Sequence, residues 1–166
     1  YSVLIENSLQ QPQVTMHRDY HSRNLLLVAG NLAGIDFQDA VQGPLAYDLA
    51  SLLRDCYLKW PNENVTLLLN NYIDAAAKQY SLTHITREQW QRWFDLTGVQ
   101  RHIKASGIFA RLNHRDNKSG YLNDIPLTLD YLVEVTEKYP ELSFIHHLIL
   151  DKVIPAMKVL TVKNLQ

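Results

Sequence analysis

The stretch that decides the fold of this chain runs His17-Arg18-Asp19-Tyr20-His21-Ser22-Arg23-Asn24. It has the form H-R-D-x-x-x-x-N, and Asp36, in an Ile-Asp-Phe triplet, lies twelve positions after Asn24. A carboxylate such as that of Asp19 can accept or orient the proton of an attacking hydroxyl group. The amide oxygen of Asn24 and the carboxylate of Asp36 are the hard oxygen ligands that Mg²⁺ prefers. The pattern therefore predicts a hydroxyl-activating group beside a magnesium site.

Short apolar runs separated by turn-forming residues surround this stretch. The runs are Val14–Met16, Asn24–Val28 and Gly34–Phe37. Ala29-Gly30-Asn31 lies between the second and the third run, so we expect a small β-hairpin there. Asn24 would begin one hairpin strand and Asp36 would end the other. The hairpin would therefore hold these two oxygen-bearing side chains next to each other, as a shared metal requires.

From Leu45 onward the apolar residues recur with helical spacing. One helix is predicted to begin near Leu45 and to end at Pro61, with Cys56 and Tyr57 on its apolar face. Thr86-Arg87-Glu88-Gln89 fits a capping box that opens a long helix. Further helices are predicted over residues 65–80, 126–138 and 141–160, with Pro155 kinking or breaking the last. The fold class predicted is mainly α with a small β-hairpin element.

Composition excludes several classes of protein. The 166 residues include 16 Lys and Arg against 17 Asp and Glu, and 46% are hydrophobic, which is typical of a globular domain. A net charge of −1 provides no basic surface for nucleic acid or anionic lipid. No apolar run approaches the roughly 18 residues of a membrane span. We therefore expect no nucleic-acid partner and no membrane association. Cys56 is the single cysteine, which excludes an internal disulfide framework and a Cys-rich zinc site.

The motif as a whole resembles the catalytic motif of the aminoglycoside phosphotransferase and choline kinase superfamily, which shares its fold with protein kinases. Gly43-Pro44 and then Asp48-Leu49-Ala50 follow Asp36 at the close spacing typical of that superfamily. More narrowly, residues 17–53 together with 111–116 are similar to bacterial anomeric sugar kinases. Those enzymes phosphorylate N-acetylmuramate and N-acetylglucosamine at C1 during cell-wall recycling.

The resemblance implies an organisation as well as an activity. Residues 1–166 would form the C-terminal lobe of a protein-kinase-like fold, carrying the catalytic loop and the acceptor-binding residues. Only sixteen residues precede His17, without a Gly-rich loop, a strand lysine or a partner glutamate. We therefore expect the N-terminal nucleotide-clamping lobe to be absent from this chain, and the lobe alone to be inactive. ATP and Mg²⁺ are the implied cofactors, a small sugar is the implied substrate, and the cytoplasm is the implied location.

The resemblance also assigns roles to residues of the motif. Asp19 would be the catalytic base or hydroxyl-orienting group, and Arg23 could stabilise charge on the transferred phosphoryl group, with a solvated arginine as the alternative. Asn24 and Asp36 would bind the metal and, through it, the nucleotide.

Further residues are assigned to support and to acceptor binding. His17 would brace the catalytic loop against residues 35–37, and Asp48 would accept hydrogen bonds from that loop. The composition of residues 111–116 by itself indicates a charged loop, whereas the resemblance places this segment beside the acceptor. The candidate acceptor-binding residues are Asp39, Arg111, Asn113 and His114; Asp39 could also lie in the outer shell of the metal or be a surface charge.

Several alternatives remain open. Only twelve positions separate Asp36 from Asp48, and Gln38 stands where D-F-G has glycine, which argues against a protein kinase and for a small acceptor. An aminoglycoside, choline or homoserine kinase is the main alternative. A non-catalytic kinase-like binding module is the second. A zinc site formed by His17 and His21, four positions apart, is the third, although the glutamate of such a motif is absent.

Overall fold

The computed structural model describes residues 1–157. The chain divides into two compact units with the boundary between Gly98 and Val99. The described part is mainly helical, with two small antiparallel sheets. Its elements, in chain order, are α1 (Ser2–Leu9), β1 (Gln13–Met16), β2 (Leu25–Val28), β3 (Asn31–Gly34), β4 (Val41–Pro44), α2 (Tyr47–Leu53), α3 (Asn62–Gln79), α4 (Arg87–Asp116), α5 (Ile125–Thr136) and α6 (Ser143–Leu148).

The predicted hairpin is confirmed, with a difference at one end. Strands β2 and β3 pair antiparallel, and Ala29 and Gly30 both have positive φ, 49° and 81°, as a tight two-residue hairpin turn requires. Strand β3 ends at Gly34 and does not continue to Phe37 as predicted. The reason is Asp36, whose left-handed backbone (φ 68°, ψ 35°) turns the chain out of the strand.

The other sheet joins two segments that lie far apart in the chain. Strand β1 pairs antiparallel with β4, in a register that runs from Gln13 opposite Pro44 to Met16 opposite Val41. The apolar run Val14–Met16 is therefore a strand, but its partner β4 was not anticipated. Helix α1 was also missed, because its eight residues carry only a weak amphipathic pattern.

The helix predicted from Leu45 to Pro61 is wrong at its C-terminal end. Helix α2 ends at Leu53, so Cys56 and Tyr57 lie beyond it. Arg54 leaves the helical region, with φ −121° and ψ 52°. The carboxylate of Asp55 then accepts the backbone N–H of Tyr57 at 2.9 Å, which closes a turn that the helix cannot continue through.

The later helices follow their predictions more closely. Thr86 accepts the Gln89 N–H at 3.2 Å and so caps α4. Helix α4 extends to Asp116, so the segment 111–116 is helical and not the charged loop that its composition indicates. Directly before Pro155 the hydrogen-bond pattern changes to a π-helix over Ile149–Val153. The change accommodates a residue that has no N–H to donate. The predicted end at Leu160 lies outside the described residues.

The first unit has a contiguous apolar core. It includes both tryptophans of α4, whose rings meet edge to face with centroids 5.2 Å apart. The buried members of this cluster are Leu45, Ala46, Ala50, Leu53, Leu69, Ile73, Ala76, Trp90, Trp93 and Phe94.

Within the second unit, paired side chains connect its elements. The rings of His102 and Tyr131 stack with centroids 4.9 Å apart, and the hydroxyls of Ser106 and Thr128 lie 2.7 Å apart. No helix among residues 1–157 combines the length and the apolar character that a membrane crossing needs.

A buried amide ties three parts of the first unit together. The Gln11 side chain donates to the carbonyl of Asn7 at 3.0 Å and to the hydroxyl of Thr97 at 3.2 Å. Its carbonyl oxygen accepts the Ala46 N–H at 2.9 Å, immediately before α2 begins. Gln11 thereby satisfies polar groups on α1, on α4 and at the start of α2, all of them away from water.

We expect Gln11→Leu to lower the free energy of unfolding by about 1–3 kcal/mol, because a similar volume remains while buried donors and acceptors lose their partner. The measurement is urea denaturation of the complete protein. Gln13→Leu is the control, since Gln13 is exposed, and it should change stability by no more than about 0.5 kcal/mol. Equal losses in the two variants would contradict the role given to Gln11.

Candidate active site

Residues 17–24, called here the motif loop, begin on a carboxylate of helix α2. Asp48 accepts the His17 N–H through Oδ2 at 2.6 Å and the Arg18 N–H through Oδ1 at 3.1 Å. Arg18 has a left-handed backbone, with φ 76°, which is unfavourable for a residue with a side chain. Two hydrogen bonds from successive amides to one carboxylate offset that cost.

The backbone of Ile35 holds both ends of the motif loop. Its carbonyl oxygen lies 2.8 Å from Nε2 of His17, and its N–H donates to the carbonyl of Asn24 at 3.0 Å. The second contact extends the β2–β3 ladder by one step, since Leu25 is paired with Gly34. Asp36, the next residue, therefore follows directly on the point where the chain contacts Asn24.

Asn24 and Asp36 carry the oxygen donors of this region. The Asn24 amide nitrogen donates to the backbone carbonyl of Asp19 at 2.9 Å, so the amide oxygen lies on the opposite side of the group. One oxygen of the exposed Asp36 carboxylate accepts from the Gln38 amide at 2.9 Å. An amide oxygen and a carboxylate fit Mg²⁺, which is usually held by one or two carboxylates together with phosphate oxygens and waters.

No group of three or more His, Cys, Asp and Glu within residues 1–157 could hold a metal ion by itself. His17 and His21 lie outside any α-helix, so a spacing of four does not bring their rings to one face. The His21 ring instead packs edge-on against Tyr57 at 5.2 Å.

Asp19 lies in the middle of the motif loop and is half-buried. Its backbone carbonyl accepts from Asn24, as described above, and from the His21 N–H at 3.1 Å. The side chain of Arg18 donates to the carbonyl of Asp39 at 3.3 Å. Asp39 is the exposed last residue of the 3₁₀ turn Phe37–Asp39, so the motif loop and the segment after Asp36 are also connected here.

Two residues of this region were not found from the sequence. Asp55 is fully buried and accepts the Ser22 N–H at 2.8 Å, and Tyr57 lies under the guanidinium of Arg23, 3.6 Å from the ring centroid. Both belong to a segment that apolar spacing assigned to a helix. A carboxylate among apolar positions, Asp55 beside Cys56, was the available signal.

The pKa of Tyr72, on helix α3, is affected by burial and also by Asp48. Burial raises the pKa of its phenol to about 12, and the nearby Tyr80 and Asp48 act in the same direction. The protonated phenol donates to the carbonyl of Leu45 at 3.0 Å. Helix α3 is thereby connected to the residues that lead into α2.

The remaining candidates belong to the second unit. Arg111 and His114 are exposed on the last turns of α4, three positions apart, and so share a face of the helix. Asn113 is two positions from Arg111 and does not share that face. Next to them, Arg115 donates to both oxygens of Asp116 and holds the pKa of that carboxyl below its usual value.

A loop with an H-R-D-x-x-x-x-N motif, held on a helix carboxylate and followed by a hairpin and a second aspartate, is the arrangement of the kinase-like phosphotransferases. Comparison with known families agrees: the family described as "Phosphotransferase enzyme family" matches residues 3–107. The chain belongs to this family.

Three proteins that are similar to this chain carry the same name. The chain is 43% identical over 150 residues to an N-acetylmuramate/N-acetylglucosamine kinase of Neisseria meningitidis serogroup B, a match that covers 90% of the chain and 45% of that protein. A protein of the same name from Pseudomonas putida is 43% identical over 149 residues, covering 90% of the chain and 44% of the relative. A third protein of this name, from Caulobacter vibrioides, is 34% identical over 124 residues, covering 72% of the chain and 32% of the relative.

These relatives confirm that the chain resembles the N-acetylmuramate/N-acetylglucosamine kinases. The chain spans about 45% of the length of the first of them.

Proposed function

We propose that the complete protein transfers a phosphoryl group from ATP to the anomeric hydroxyl of a small sugar, N-acetylmuramate or N-acetylglucosamine, in cell-wall recycling. The observation that carries this proposal is the double contact of the Ile35 backbone with His17 and Asn24. It keeps the motif loop, which contains Asp19, beside the residue that precedes Asp36. The names of the relatives support the choice of acceptor.

In this proposal the chain supplies positioned groups. Asp19 orients the acceptor hydroxyl and takes its proton as the oxygen attacks the γ-phosphorus of ATP, and the bond from that phosphorus to the departing ADP breaks. Asn24 and Asp36 would hold Mg²⁺, which neutralises phosphate charge when it is bound. The guanidinium of Arg23, stacked on Tyr57, would stabilise negative charge on the transferred group.

The short connection after Asp36 supports a small acceptor. Between Asp36 and α2 the chain forms only the 3₁₀ turn Phe37–Asp39 and strand β4, which pairs with β1. These elements occupy the place where protein kinases have a long peptide-docking segment. A monosaccharide needs no such segment. Asp39 remains a candidate contact of the acceptor or of the metal's outer ligands.

A carboxylate-bearing sugar would suit Arg111. A guanidinium can hold a carboxylate with two parallel hydrogen bonds, and the lactyl group of N-acetylmuramate carries one. His114 shares its helix face and Asn113 lies on another. We therefore propose Arg111 and His114 as acceptor contacts on one face, and Asn113 as a separate contact.

For the motif loop, we expect Asp19→Asn in the complete protein to lower kcat by roughly 100-fold or more, the scale of positioned acid–base catalysis. KM for the sugar should change little, because the amide keeps the size of the side chain. Steady-state kinetics at saturating ATP measure both. Asp130→Asn, an exposed position on α5, serves as the control. Turnover near that of the wild type would remove Asp19 from the assigned role.

For the metal, we expect Asp36→Ala to abolish phosphotransfer and to weaken nucleotide binding only when Mg²⁺ is present, because the variant loses a metal ligand. Calorimetric titration with ATP, with and without Mg²⁺, measures the difference. Without Mg²⁺ the variant and the wild type should bind ATP equally. Full activity of Asp36→Ala at ordinary Mg²⁺ would contradict the assignment.

For the acceptor, the complete protein is assayed with N-acetylmuramate, N-acetylglucosamine, choline and kanamycin. Arg111→Ala should raise KM for N-acetylmuramate by roughly 10- to 150-fold, the equivalent of a lost charge-assisted hydrogen bond of about 1.5–3 kcal/mol. KM for N-acetylglucosamine should rise much less, since that sugar has no carboxylate. Arg115→Ala is the matched control, because Arg115 is exposed nearby and already paired with Asp116.

The same assay decides between the acceptor classes. Turnover of choline or kanamycin with neither sugar accepted would defeat the sugar-kinase proposal and favour another member of the family. Absence of turnover with all four acceptors, together with ATP binding, would favour a non-catalytic binding module.

A further inference from the structure

The second half of the motif loop depends on a carboxylate that the motif does not contain. Asp55 is fully buried, and both of its oxygens accept backbone N–H groups. Oδ2 accepts from Ser22 at 2.8 Å and Oδ1 from Tyr57 at 2.9 Å. Ser22 begins the 3₁₀ turn that ends at Asn24, so this hydrogen bond holds the turn from which the metal-ligand candidate projects.

Helix α2 and the turn that follows it thus contact the motif loop at two points. Asp48, in the first turn of the helix, holds the N–H groups of His17 and Arg18. Asp55, two residues beyond its last turn, holds that of Ser22. The two carboxylates are seven positions apart and bracket the helix, and the part of the loop between their contacts contains Asp19.

The turn after α2, which carries Asp55, is itself held in place. The preceding residue, Arg54, is buried and pairs with the buried carboxylate of Asp95 on α4. Its guanidinium also lies over the ring of Phe94, 4.7 Å from the centroid. A Cβ at Gly98 would come within 3.3 Å of the Arg54 side chain, so the glycine provides the space for it. The position of Asp55 is therefore fixed by the core of the first unit.

The segment after Asp55 makes a second contact with the loop, through a side chain. The ring of Tyr57 lies beneath the guanidinium of the exposed Arg23, at a cation–π distance of 3.6 Å. The same ring meets His21 edge to face. Asp55 also accepts the backbone N–H of Tyr57. The segment 55–57 therefore contacts the motif loop twice: Asp55 binds the backbone of Ser22, and the ring of Tyr57 contacts the side chain of Arg23.

We propose that Asp55 is a positioning residue for phosphoryl transfer, acting through Ser22 on Asn24, and that Tyr57 positions Arg23. This inference rests on the function proposed above. Asp55 touches neither the acceptor nor the nucleotide in this proposal. It provides fixed acceptors for an irregular segment, whose groups would otherwise lose the alignment that transfer requires.

The first test compares Asp55→Asn with Thr128→Val in the complete protein. An amide oxygen can accept only one of the two N–H groups, and the amide nitrogen would face the other donor. We expect Asp55→Asn to lower kcat by roughly 10- to 100-fold, while KM for the sugar changes far less. Thr128 is equally buried; its hydroxyl donates to the carbonyl of Ile125 at 2.7 Å and lies 2.7 Å from the hydroxyl of Ser106, within the second unit. Thr128→Val should lower Tm and keep kcat.

A second measurement does not require turnover. Amide hydrogen exchange at Ser22 should be faster in Asp55→Ala, which removes both acceptor oxygens, than in the wild type, and unchanged in Thr128→Val. This separates the inference from the proposed function. A wild-type protein that phosphorylates none of the acceptors contradicts the function, whereas unchanged exchange at Ser22 contradicts the role of Asp55.

Tyr57 provides a test if Asp55→Asn does not fold. Tyr57→Phe keeps the ring and should keep kcat, whereas Tyr57→Leu should lower kcat by roughly 5- to 10-fold, because the cation–π contact of about 1 kcal/mol is lost. Equal activity of the two Tyr57 variants would overturn the role of Tyr57. An unchanged kcat in Asp55→Asn, or an equal loss in Thr128→Val, would overturn that of Asp55.

Discussion

The constraint on which the site depends is that the backbone N–H groups of an irregular loop must find acceptors. The motif loop belongs to neither sheet, and side-chain carboxylates accept N–H groups that a neighbouring strand would accept in a sheet. Asp48 accepts two successive amides at its start, and Asp55 accepts another where the 3₁₀ turn begins. Helix α2 carries or adjoins both carboxylates, so its packing in the core determines where the loop lies.

Two residues at the site have left-handed backbones although neither is glycine. Arg18, with φ 76°, precedes Asp19, and Asp36, with φ 68°, follows strand β3. Each such conformation costs of order 1–3 kcal/mol and persists only where its surroundings enforce it. At Arg18, hydrogen bonds from its own N–H and that of His17 to Asp48 hold the backbone. Asp36 follows the end of strand β3, and its carboxylate accepts a hydrogen bond from the Gln38 amide.

The motif and its surroundings were largely predictable from the sequence. The turn residues between two apolar runs indicate the hairpin, because Gly30 readily adopts the positive φ of a tight turn; Ala29 adopts it (49°) at a steric cost. The order and spacing of His17, Asp19, Asn24 and Asp36 indicated the family, which the comparisons confirm. These features are local, since each depends on residues that are close together in the chain.

What only the tertiary structure decided are the contacts between distant segments. Apolar spacing favoured a helix through Cys56 and Tyr57. In the structure the helix ends at Leu53, and Asp55 accepts the backbone N–H of Ser22, which lies 33 positions earlier in the chain. Strand β4 exists because β1, more than twenty positions away, pairs with it. The sequence by itself determined the motif, the hairpin and most helices. Burial, the pairing of strands and the satisfaction of loop amides decided the rest, because their energies come from partners that local spacing does not reveal.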